Sequence, residues 1–426
     1  MFFNVTCLDP KTKETSNYVF DNQTSEIYDQ DGELIGFSTQ ERFSDYARPR
    51  APSFSIFGAD NPITEKGRLI RKLRIQLGMA CNYNCKYCLQ AAFRSSLDKV
   101  PGPQTIDGFF EKFHASGIKL APNACIELWG GEPLVYWKTL RVLIPRLREE
   151  FGEAVELSMI TNGSLLTKDM VDFFNLHRVQ ISISHDGPGF SLRDDEDPLF
   201  DPEVKEVWLY LLETSTKLGI PMSFVCVLSP KNSNLEEIRA FFDMHFSKDV
   251  VVCFEGVVSY SGAQMDGCSF DKESARSLDS SIFKAIVTQA GLWPTLDDMA
   301  KNLMQRLIHR IPASEILGRC DEMRKNTLTV TLDGKIGSCH NRPVSIWQIG
   351  SLDNYSKILN PNLTHWSLRP VCKNCFLISS CKGGCPHLSN EELEQCCSNE
   401  FVYHAAIFGA VWFLLTGKVL MRVEPM

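Results

Sequence analysis

Between residues 73 and 257, apolar runs of strand length alternate with amphipathic runs of helix length, and no other feature constrains the fold as strongly. Pro202 and Gly219 stand where the first turn and the end of a predicted helix favour proline and glycine. Such alternation produces a parallel sheet with right-handed crossovers. Six units are too few to close an eight-stranded barrel. We therefore predict an α/β fold, an open partial (β/α)6 TIM-like barrel whose active site lies at the carboxyl ends of its strands. The predicted strands are Leu73–Met79, Ala124–Trp129, Val155–Ile160, Val179–Ser184, Met222–Leu228 and Val251–Val257. The predicted helices are Trp137–Phe151, Lys168–Leu176, Pro202–Leu218 and Leu235–Met244.

Changes of pattern along the chain divide it into five predicted regions. These are a β-rich N-terminal region with a linker (1–70), the partial barrel (71–262), a helical bridge (263–319), a cysteine-rich domain (320–400) and a C-terminal helix (401–426). The first region has predicted strands over Phe2–Leu8, Asn17–Asp21, Ser25–Tyr28 and Glu33–Phe37 and a proline-punctuated linker over Arg48–Pro62. The bridge has predicted helices over Glu273–Gln289 and Leu296–Ile311, with Thr295 and Asp298 spaced as a capping box.

The cysteine-rich segment carries a hairpin signal at Asp333-Gly334 but has no apolar periodicity. It cannot build a large hydrophobic core, so we expect metal clusters to hold it together.

Three cysteines, Cys81, Cys85 and Cys88, follow the first barrel strand in a C-x3-C-x2-C pattern. Three thiolates within eight residues can hold one corner of a cubane iron–sulfur cluster and leave one iron without a protein ligand. That open iron suits a chelating ligand with an amino and a carboxylate group. A zinc knuckle is the alternative, but zinc sites usually have four ligands in paired C-x2-C units. The spacing therefore favours an iron–sulfur cluster.

A second motif, Gly130-Gly131-Glu132-Pro133, ends the second predicted strand. Its glycines allow the backbone to approach a ligand closely, and Glu132 can organise the loop or accept a hydrogen bond from an ammonium group. Alone, this motif could be an ordinary tight turn. Together with the cysteine motif and its aromatic residue Tyr87, it resembles the radical S-adenosylmethionine (SAM) superfamily.

The resemblance implies a cofactor, SAM, bound to a [4Fe–4S] cluster. It implies that Tyr87 packs near the adenine and that Gly130, Gly131, Glu132 and Pro133 contact the methionine amino group. Asn162 ends the third strand, and Ser184 begins a segment that matches the family's S-x-D-G-P pattern, which makes Ser184 a candidate contact of the ribose or carboxylate. Arg193 is a candidate partner of the carboxylate by its charge. For Asn162, Ser184 and Arg193 the alternative is a loop residue shaped only by turn chemistry.

The C-terminal cysteines resemble the SPASM domain, an auxiliary-cluster module of radical SAM enzymes that modify peptides and proteins. The matching pattern is Cys320, Gly334-x4-Cys339, Cys372-x2-Cys375-x5-Cys381-x3-Cys385 and Cys396-Cys397. The resemblance implies two auxiliary [4Fe–4S] clusters. The outer one would take Cys372, Cys375, Cys381 and either Cys396 or, preferably, Cys397, and the inner one Cys320, Cys339 and Cys385.

The inner cluster lacks an obvious fourth cysteine. Cys253, Cys268 or the spare member of the Cys396/Cys397 pair could supply it, or the site could be open to substrate. Zinc bound by Cys372–Cys385 is the alternative to the outer cluster. We interpret Cys7, Cys125 and Cys226, single residues in apolar runs, as core thiols.

The resemblance implies an oxidoreductase that removes a hydrogen atom from an unactivated C–H bond through a 5′-deoxyadenosyl radical. We predict a maturase of ribosomally made precursor peptides that forms an intramolecular carbon–carbon or thioether crosslink. An anaerobic sulfatase-maturase reaction is the alternative. That family commonly has aspartate after the cysteine of G-x4-C, where this chain has His340. A non-catalytic cysteine-rich metal-binding module is the alternative of another class, and the intact cysteine and GGEP motifs argue against it.

Composition limits the partners. A net charge of −8 argues against nucleic acid, sixteen cysteines favour a reducing cytoplasm, and no signal peptide is evident. The apolar residues 401–417 could span a membrane but better fit a buried helix.

The family implies a flavodoxin or ferredoxin as reductant. A leader peptide could add as a strand to the N-terminal region, or that region could cap the barrel; leader capture could also need a separate leader-binding protein.

Overall fold

The structure, a computed structural model, describes residues 1–37, 66–93, 103–246, 250–258, 267–316, 318–358 and 365–426. The predicted linker over Arg48–Pro62 lies outside these residues. The strands are β1 (Phe2–Leu8), β2 (Thr15–Asp21), β3 (Glu26–Tyr28), β4 (Leu69–Gln76), β5 (Lys119–Trp129), β6 (Glu156–Thr161), β7 (Val179–Ser184), β8 (Met222–Leu228), β9 (Val251–Val257), β10 (Thr327–Thr331), β11 (Lys335–Gly337), β12 (Gln348–Ser351) and β13 (Val419–Pro425). The helices are α1 (Pro103–Ala115), α2 (Trp137–Phe151), α3 (Lys168–Leu176), α4 (Pro202–Leu218), α5 (Leu235–His245), α6 (Lys272–Thr288), α7 (Pro294–His309), α8 (Pro370–Lys373), α9 (Ile378–Cys381) and α10 (Asn390–Thr416).

Six strands, β4 to β9, lie in chain order in one sheet, and each neighbouring pair is parallel. They overlap the six predicted strands: β7, β8 and β9 have the predicted bounds, β6 is shifted by one residue, and β4 and β5 begin earlier than predicted. The predicted partial barrel is confirmed. Parallel strands have their carboxyl ends at the same edge, so the loops after β4, β5, β6 and β7 meet there.

The cysteine-rich region continues this sheet instead of forming a separate layer. Strand β10 pairs in parallel with β4, from Thr327 opposite Lys72 to Thr331 opposite Gln76. The hairpin predicted at Asp333-Gly334 is present, and β11 and β12 extend the sheet to nine strands. The Gln76 side chain donates to the carbonyls of His340 (3.1 Å) and Arg342 (2.8 Å). These contacts hold the segment after Cys339 against the barrel.

The N-terminal region forms a second, four-stranded sheet in the order β13-β1-β2-β3. The predicted strand over Glu33–Phe37 is reduced to one bridge between Tyr28 and Leu34. This sheet packs on the C-terminal part of the chain: Asn22 donates to the carbonyls of Lys373 and Cys375, at 3.1 and 2.9 Å. The β-rich region therefore supports the cysteine-rich segment.

The prediction of a helix over residues 401–426 is wrong at both ends. Helix α10 begins at Asn390, with Ser389 and Glu392 forming a capping box, and it ends at Gly417, whose positive φ of 71° suits glycine. The chain then turns into β13, which pairs antiparallel with β1. The last residues thus belong to the N-terminal sheet, a pairing that no local pattern signals.

The apolar part of α10 is a buried helix, as predicted. The Phe408 ring lies 5.4 Å from the Phe20 ring, and the Trp412 indole N–H donates to the Cys7 sulfur at 3.0 Å. No helix within the described ranges is long and apolar enough to cross a membrane.

The two predicted bridge helices are present as α6 and α7, and both pack on α10. The predicted capping box at Thr295 and Asp298 is wrong. Helix α7 begins at Pro294 after Trp293, which makes no side-chain cap. The Thr295 hydroxyl instead accepts from the Phe254 backbone N–H of β9 at 3.1 Å. A tertiary contact with the barrel has replaced the local one.

Candidate active site

One cavity of about 580 Å³ opens where the carboxyl ends of the barrel strands face the cysteine-rich segment. All eleven predicted cysteine ligands line this cavity, and the other five cysteines of the chain do not. The lining cysteines are Cys81, Cys85, Cys88, Cys320, Cys339, Cys372, Cys375, Cys381, Cys385, Cys396 and Cys397. The fold therefore gathers thiols that are up to 316 positions apart in the chain.

The first cysteine loop directly follows β4. Backbone N–H groups of Tyr83 and Gln90 point at the sulfurs of Cys81 and Cys88, each at 3.4 Å. Burial raises the pKa of the Cys85 thiol to about 12; the nearby Arg193 lowers it, and the other two cysteines raise it further. Three thiols crowded into one loop fit a metal cluster, whose positive charge would compensate the thiolates. The donor set thus suits the predicted [4Fe–4S] cluster.

The glycines of the GGEP loop pack on the backbone that leads into this cysteine loop. A Cβ atom on Gly131 would lie 2.4 Å from the carbonyl oxygens of Met79 and Ala80, and one on Gly130 would lie 2.8 Å from the Gly78 oxygen. Only glycine fits at such distances. The close approach predicted for a ligand is therefore made, in the first place, by another segment of the chain.

Glu132 organises the loop from a fully buried position, the first of the two roles predicted for it. One carboxylate oxygen accepts from the Leu134 N–H (2.9 Å) and the Thr161 hydroxyl (2.6 Å). The other oxygen accepts from the Asn162 N–H at 2.8 Å. Burial nevertheless raises the pKa of this carboxyl.

Asn162 also reaches the cysteine loop, because its side-chain amide donates to the Asn82 side chain at 2.9 Å. The ends of β4, β5 and β6 are thereby locked together. Gly130, Gly131, Glu132 and Asn162 line the cavity, whereas Pro133 starts the short helix Pro133–Tyr136 and does not.

Arg193 has its carboxylate partner within the chain. The guanidinium donates to Asp186 at 2.9 Å, and the Tyr87 hydroxyl and the Val227 N–H (2.9 Å) bind the same carboxylate. The Arg193 guanidinium also lies 5.6 Å from the centre of the Tyr87 ring. Burial opposes the charge, yet Asp186 holds the pKa of Arg193 above its ordinary value.

Tyr87 and Arg193 line the cavity, and so does Ser184, the last residue of β7. Sequence reasoning missed Asp186 as the centre of this group, although Asp186 is the aspartate of the S-x-D-G-P segment.

The structure brings Cys320, Cys339 and Cys385 close together. Burial raises the pKa of Cys320 to about 11 and that of Cys339 to about 12, and the proximity of Cys385 raises both further. The proposed fourth ligands Cys253 and Cys268 are elsewhere. The Thr295 side chain bonds Cys253, and Cys268 is fully buried outside the cavity lining.

Cys372, Cys375 and Cys397 form a second close set. Burial raises the pKa of Cys372 to about 11; Arg369 lowers it, and Cys375 and Cys397 raise it. Burial also raises the pKa of Cys381 to about 12, and the next contribution comes from the Glu400 carboxylate. The Cys396 thiol points towards the Leu393 carbonyl at 3.6 Å, and both Cys396 and Cys397 line the cavity.

The buried Glu322 and the half-buried His340 form a pair that the sequence did not predict. The Glu322 carboxylate accepts from Arg74 (2.7 Å) and contacts the His340 ring at 3.0 Å. Burial works against its charge, but His340 and Arg74 hold its pKa at about 2. His340 also lies edge-on to Trp129, with ring centres 4.7 Å apart, and lines the cavity. The only sequence signal for this pair was the acidic dipeptide Asp321-Glu322 that directly follows Cys320.

Residues 75–244 match the family model of the radical SAM superfamily. The chain therefore contains a radical SAM domain, and the predicted resemblance and fold class are confirmed. The match includes the first cysteine loop, the GGEP loop, Ser184 and Arg193, and it ends before the C-terminal cysteines.

Two curated relatives share part of this domain. The chain is 28% identical over 144 residues to radical SAM cyclopropyl synthase TigE of Paramaledivibacter caminithermalis; the aligned region covers 31% of this chain and 30% of that protein. It is 35% identical over 124 residues to GTP 3′,8-cyclase of Corynebacterium glutamicum, and that aligned region covers 28% of this chain and 32% of that protein. The chain thus spans about a third of the length of these relatives.

Among solved structures, native anSMEcpe with bound AdoMet has the same fold. The superposition has a TM-score of 0.59 and covers 81% of this chain and 99% of the other, at 15% sequence identity. At this identity the similarity concerns the fold.

Proposed function

We propose that this chain is a radical SAM enzyme that modifies a ribosomally made precursor peptide and forms an intramolecular carbon–carbon or thioether crosslink. The observation that carries the proposal is the single cavity that joins the three-cysteine loop after β4 to the eight C-terminal cysteines. A non-catalytic metal-binding module would need no GGEP loop locked to that cysteine loop.

In this proposal Cys81, Cys85 and Cys88 hold the first [4Fe–4S] cluster. SAM bound to that cluster supplies hydrogen-atom abstraction once a flavodoxin or ferredoxin delivers an electron. The chain's own residues hold the geometry: Glu132 and Asn162 fix the loops around the cluster, so the cofactor meets a preorganised site. The buried Arg193–Asp186 pair lies against Tyr87 and excludes water there. We propose that the adenine of SAM packs beside Tyr87.

The C-terminal cysteines would hold two auxiliary clusters. Cys320, Cys339 and Cys385 would hold the inner cluster, and Cys253 and Cys268 lie outside the cavity lining. Its fourth iron would then be open to a substrate heteroatom or be bound by Cys396, which lines the cavity. Cys372, Cys375, Cys381 and Cys397 would hold the outer cluster. A crosslink removes two hydrogens from the peptide, so an electron acceptor beside the substrate suits this reaction.

One comparison supports a peptide substrate. A structure of the same fold is described as native anSMEcpe with bound AdoMet and Cp18Cys peptide, at a TM-score of 0.58 and 15% identity. The sulfatase-maturase alternative is weakened because His340, bonded to Glu322, occupies the position that is commonly aspartate in that family. We place the protein in the cytoplasm, where its thiols remain reduced.

The experiment uses the full chain, reconstituted anaerobically with iron and sulfide and supplied with SAM, reductant and the short peptide encoded beside its gene. We expect a peptide product lighter by two hydrogen atoms whose tandem mass spectrum lacks fragments between the two linked residues. The matched control is the Cys320→Ala variant, which we expect to cleave SAM but leave the peptide unchanged. Release of an unmodified peptide by an enzyme that cleaves SAM would contradict a peptide crosslinking reaction.

A further inference from the structure

A buried polar group lies beside one cysteine of the outer set. The Cys381 sulfur, a Glu400 carboxylate oxygen and a His404 ring nitrogen all lie within 4.8 Å of one another. Glu400 and His404 are one turn apart on α10 and are 6% and 1% exposed, and Cys381 ends α9. Neither Glu400 nor His404 caps α10, whose ends are capped at Ser389 and Gly417.

Opposite charges meet within this group. The Arg319 guanidinium donates to Glu400 at 2.7 Å. His404 contacts the Ser380 hydroxyl through Nδ1 at 2.9 Å, while its Nε2 lies 3.4 Å from a Glu400 oxygen, a contact too poorly aligned to satisfy this buried nitrogen fully. The ion pair of Glu400 with Arg319, whose side chain is 36% exposed, contributes little net stability, and a poorly satisfied buried nitrogen costs free energy. The group is therefore poorly explained by folding alone, and it faces the Cys381 sulfur.

We propose that Arg319, Glu400 and His404 act on the outer cluster through Cys381, as positioning residues that set its reduction potential. The inference rests on the proposed function, because it takes Cys381 as a cluster ligand. The potentials of iron–sulfur clusters depend on net charge and polar groups near their sulfurs. The Glu400 carboxylate disfavours the added electron and lowers the potential, whereas Arg319 favours that electron and raises it. Burial weakens solvent screening of the Glu400 charge, whereas the Arg319 side chain is 36% exposed and its charge is screened more.

A separate metal ion held by Cys381, Glu400 and His404 is the competing explanation for the same three side chains. The Arg319 guanidinium already binds the Glu400 carboxylate and would repel a cation placed there. We therefore favour the cluster as the group that these residues face.

The test measures the midpoint potential of the outer cluster by redox titration followed by electron paramagnetic resonance. It uses the full chain with Cys81, Cys85 and Cys88 replaced by alanine, so that only auxiliary signals remain. The outer signal is the one lost in a Cys375→Ala variant. We expect Glu400→Gln to raise the potential and Arg319→Gln to lower it. The matched control is Glu394→Gln, the same change at an exposed position on α10; this carboxylate also lies near Cys397, but solvent screens its charge, so we expect it to shift the potential less.

Opposite shifts distinguish an electrostatic role from a structural one, since loosening of the site would move both variants in the same direction. If Glu400→Gln fails to incorporate iron, the direction of the Arg319→Gln shift alone decides. Shifts of the same sign, or shifts no larger than that of Glu394→Gln, would overturn this inference and leave the proposed function intact. Stoichiometric zinc that is lost in a His404→Ala variant would also overturn it. A parent protein with no outer cluster at all would refute both proposals.

Discussion

Arg193, which lines the cavity, and Asp186 behind it form a buried ion pair 2.9 Å apart, and Tyr87 and Val227 bind the same carboxylate. Removing one partner of such a pair leaves a buried, uncompensated charge. We expect Asp186→Asn to lower the free energy of unfolding by about 3–5 kcal/mol, measured by urea unfolding under anaerobic conditions. Asp195→Asn, at an exposed position in the same loop, should change it by less than about 0.5 kcal/mol. Equal stability of the two variants would show that the pair is not structurally important.

Both carboxylate oxygens of Glu132 accept hydrogen bonds, from three donors in all. Glu132→Gln replaces one of these oxygens with an NH2 group, which is itself a donor and therefore faces a donor. A buried polar group without a partner costs about 1–3 kcal/mol. We expect the loop to loosen and the affinity for SAM to fall by roughly tenfold, the equivalent of about 1.4 kcal/mol. Calorimetric titration of the reconstituted protein measures this change. The exposed Glu153→Gln serves as control, and unchanged SAM affinity in Glu132→Gln would contradict the role of this carboxylate.

Iron content tests the auxiliary clusters. Three full [4Fe–4S] sites require about twelve irons per chain, and replacing Cys320, Cys339 and Cys385 together by alanine should leave about eight. Plasma emission spectrometry of the reconstituted protein measures iron and zinc in one sample. About four irons in the parent protein, or one zinc per chain, would refute the auxiliary clusters.

Within the described residues, the two edge strands of the N-terminal sheet are β3, which bridges to Leu34 at Tyr28, and β13, which pairs only with β1. Deleting the N-terminal residues would therefore unpair β13, and a single substitution is a cleaner test of strand addition by a leader peptide. The Met426 N–H donates to the Phe2 carbonyl of β1. Backbone N–H groups of successive residues in a strand point alternately to its two sides, so the Val423 N–H, three residues away, faces away from β1 and towards the open edge.

Val423→Pro removes that edge donor without breaking the pairing with β1. We expect it to weaken precursor binding, measured by fluorescence anisotropy, while SAM cleavage without peptide stays unchanged. Val423→Ala, which keeps the N–H, should bind normally. If the proline variant binds the precursor as tightly as the parent protein, the leader does not add to β13.

The sequence predicted the barrel well because each of its strands carries its own signal. Val179–Ser184, Met222–Leu228 and Val251–Val257 appear with the predicted bounds, since each is an apolar run closed by turn residues. The three-cysteine loop and the GGEP loop were likewise found from local motifs.

The missed features are contacts between residues far apart in the chain. The pairing of β1 with β13 joins the two ends, and β10 pairs with β4 across more than 250 positions. Two further missed contacts join residues closer in the chain: Asp186 binds Arg193 seven positions away, and Glu322 binds His340 eighteen positions away, once the loops have folded. A charged side chain carries no local signal for its partner, so the motif showed where Arg193 lies but not what it binds.

Formation of 5′-deoxyadenosine by the anaerobically reconstituted chain, with SAM and dithionite, decides whether the loop of Cys81, Cys85 and Cys88 drives cofactor cleavage. Liquid chromatography with mass spectrometry quantifies the product. We expect the parent protein to form it and the triple alanine variant to form none, while that variant keeps the iron of its auxiliary clusters. Formation of 5′-deoxyadenosine by the triple variant at the parent rate would contradict the assignment of this loop and, with it, radical SAM chemistry at this site.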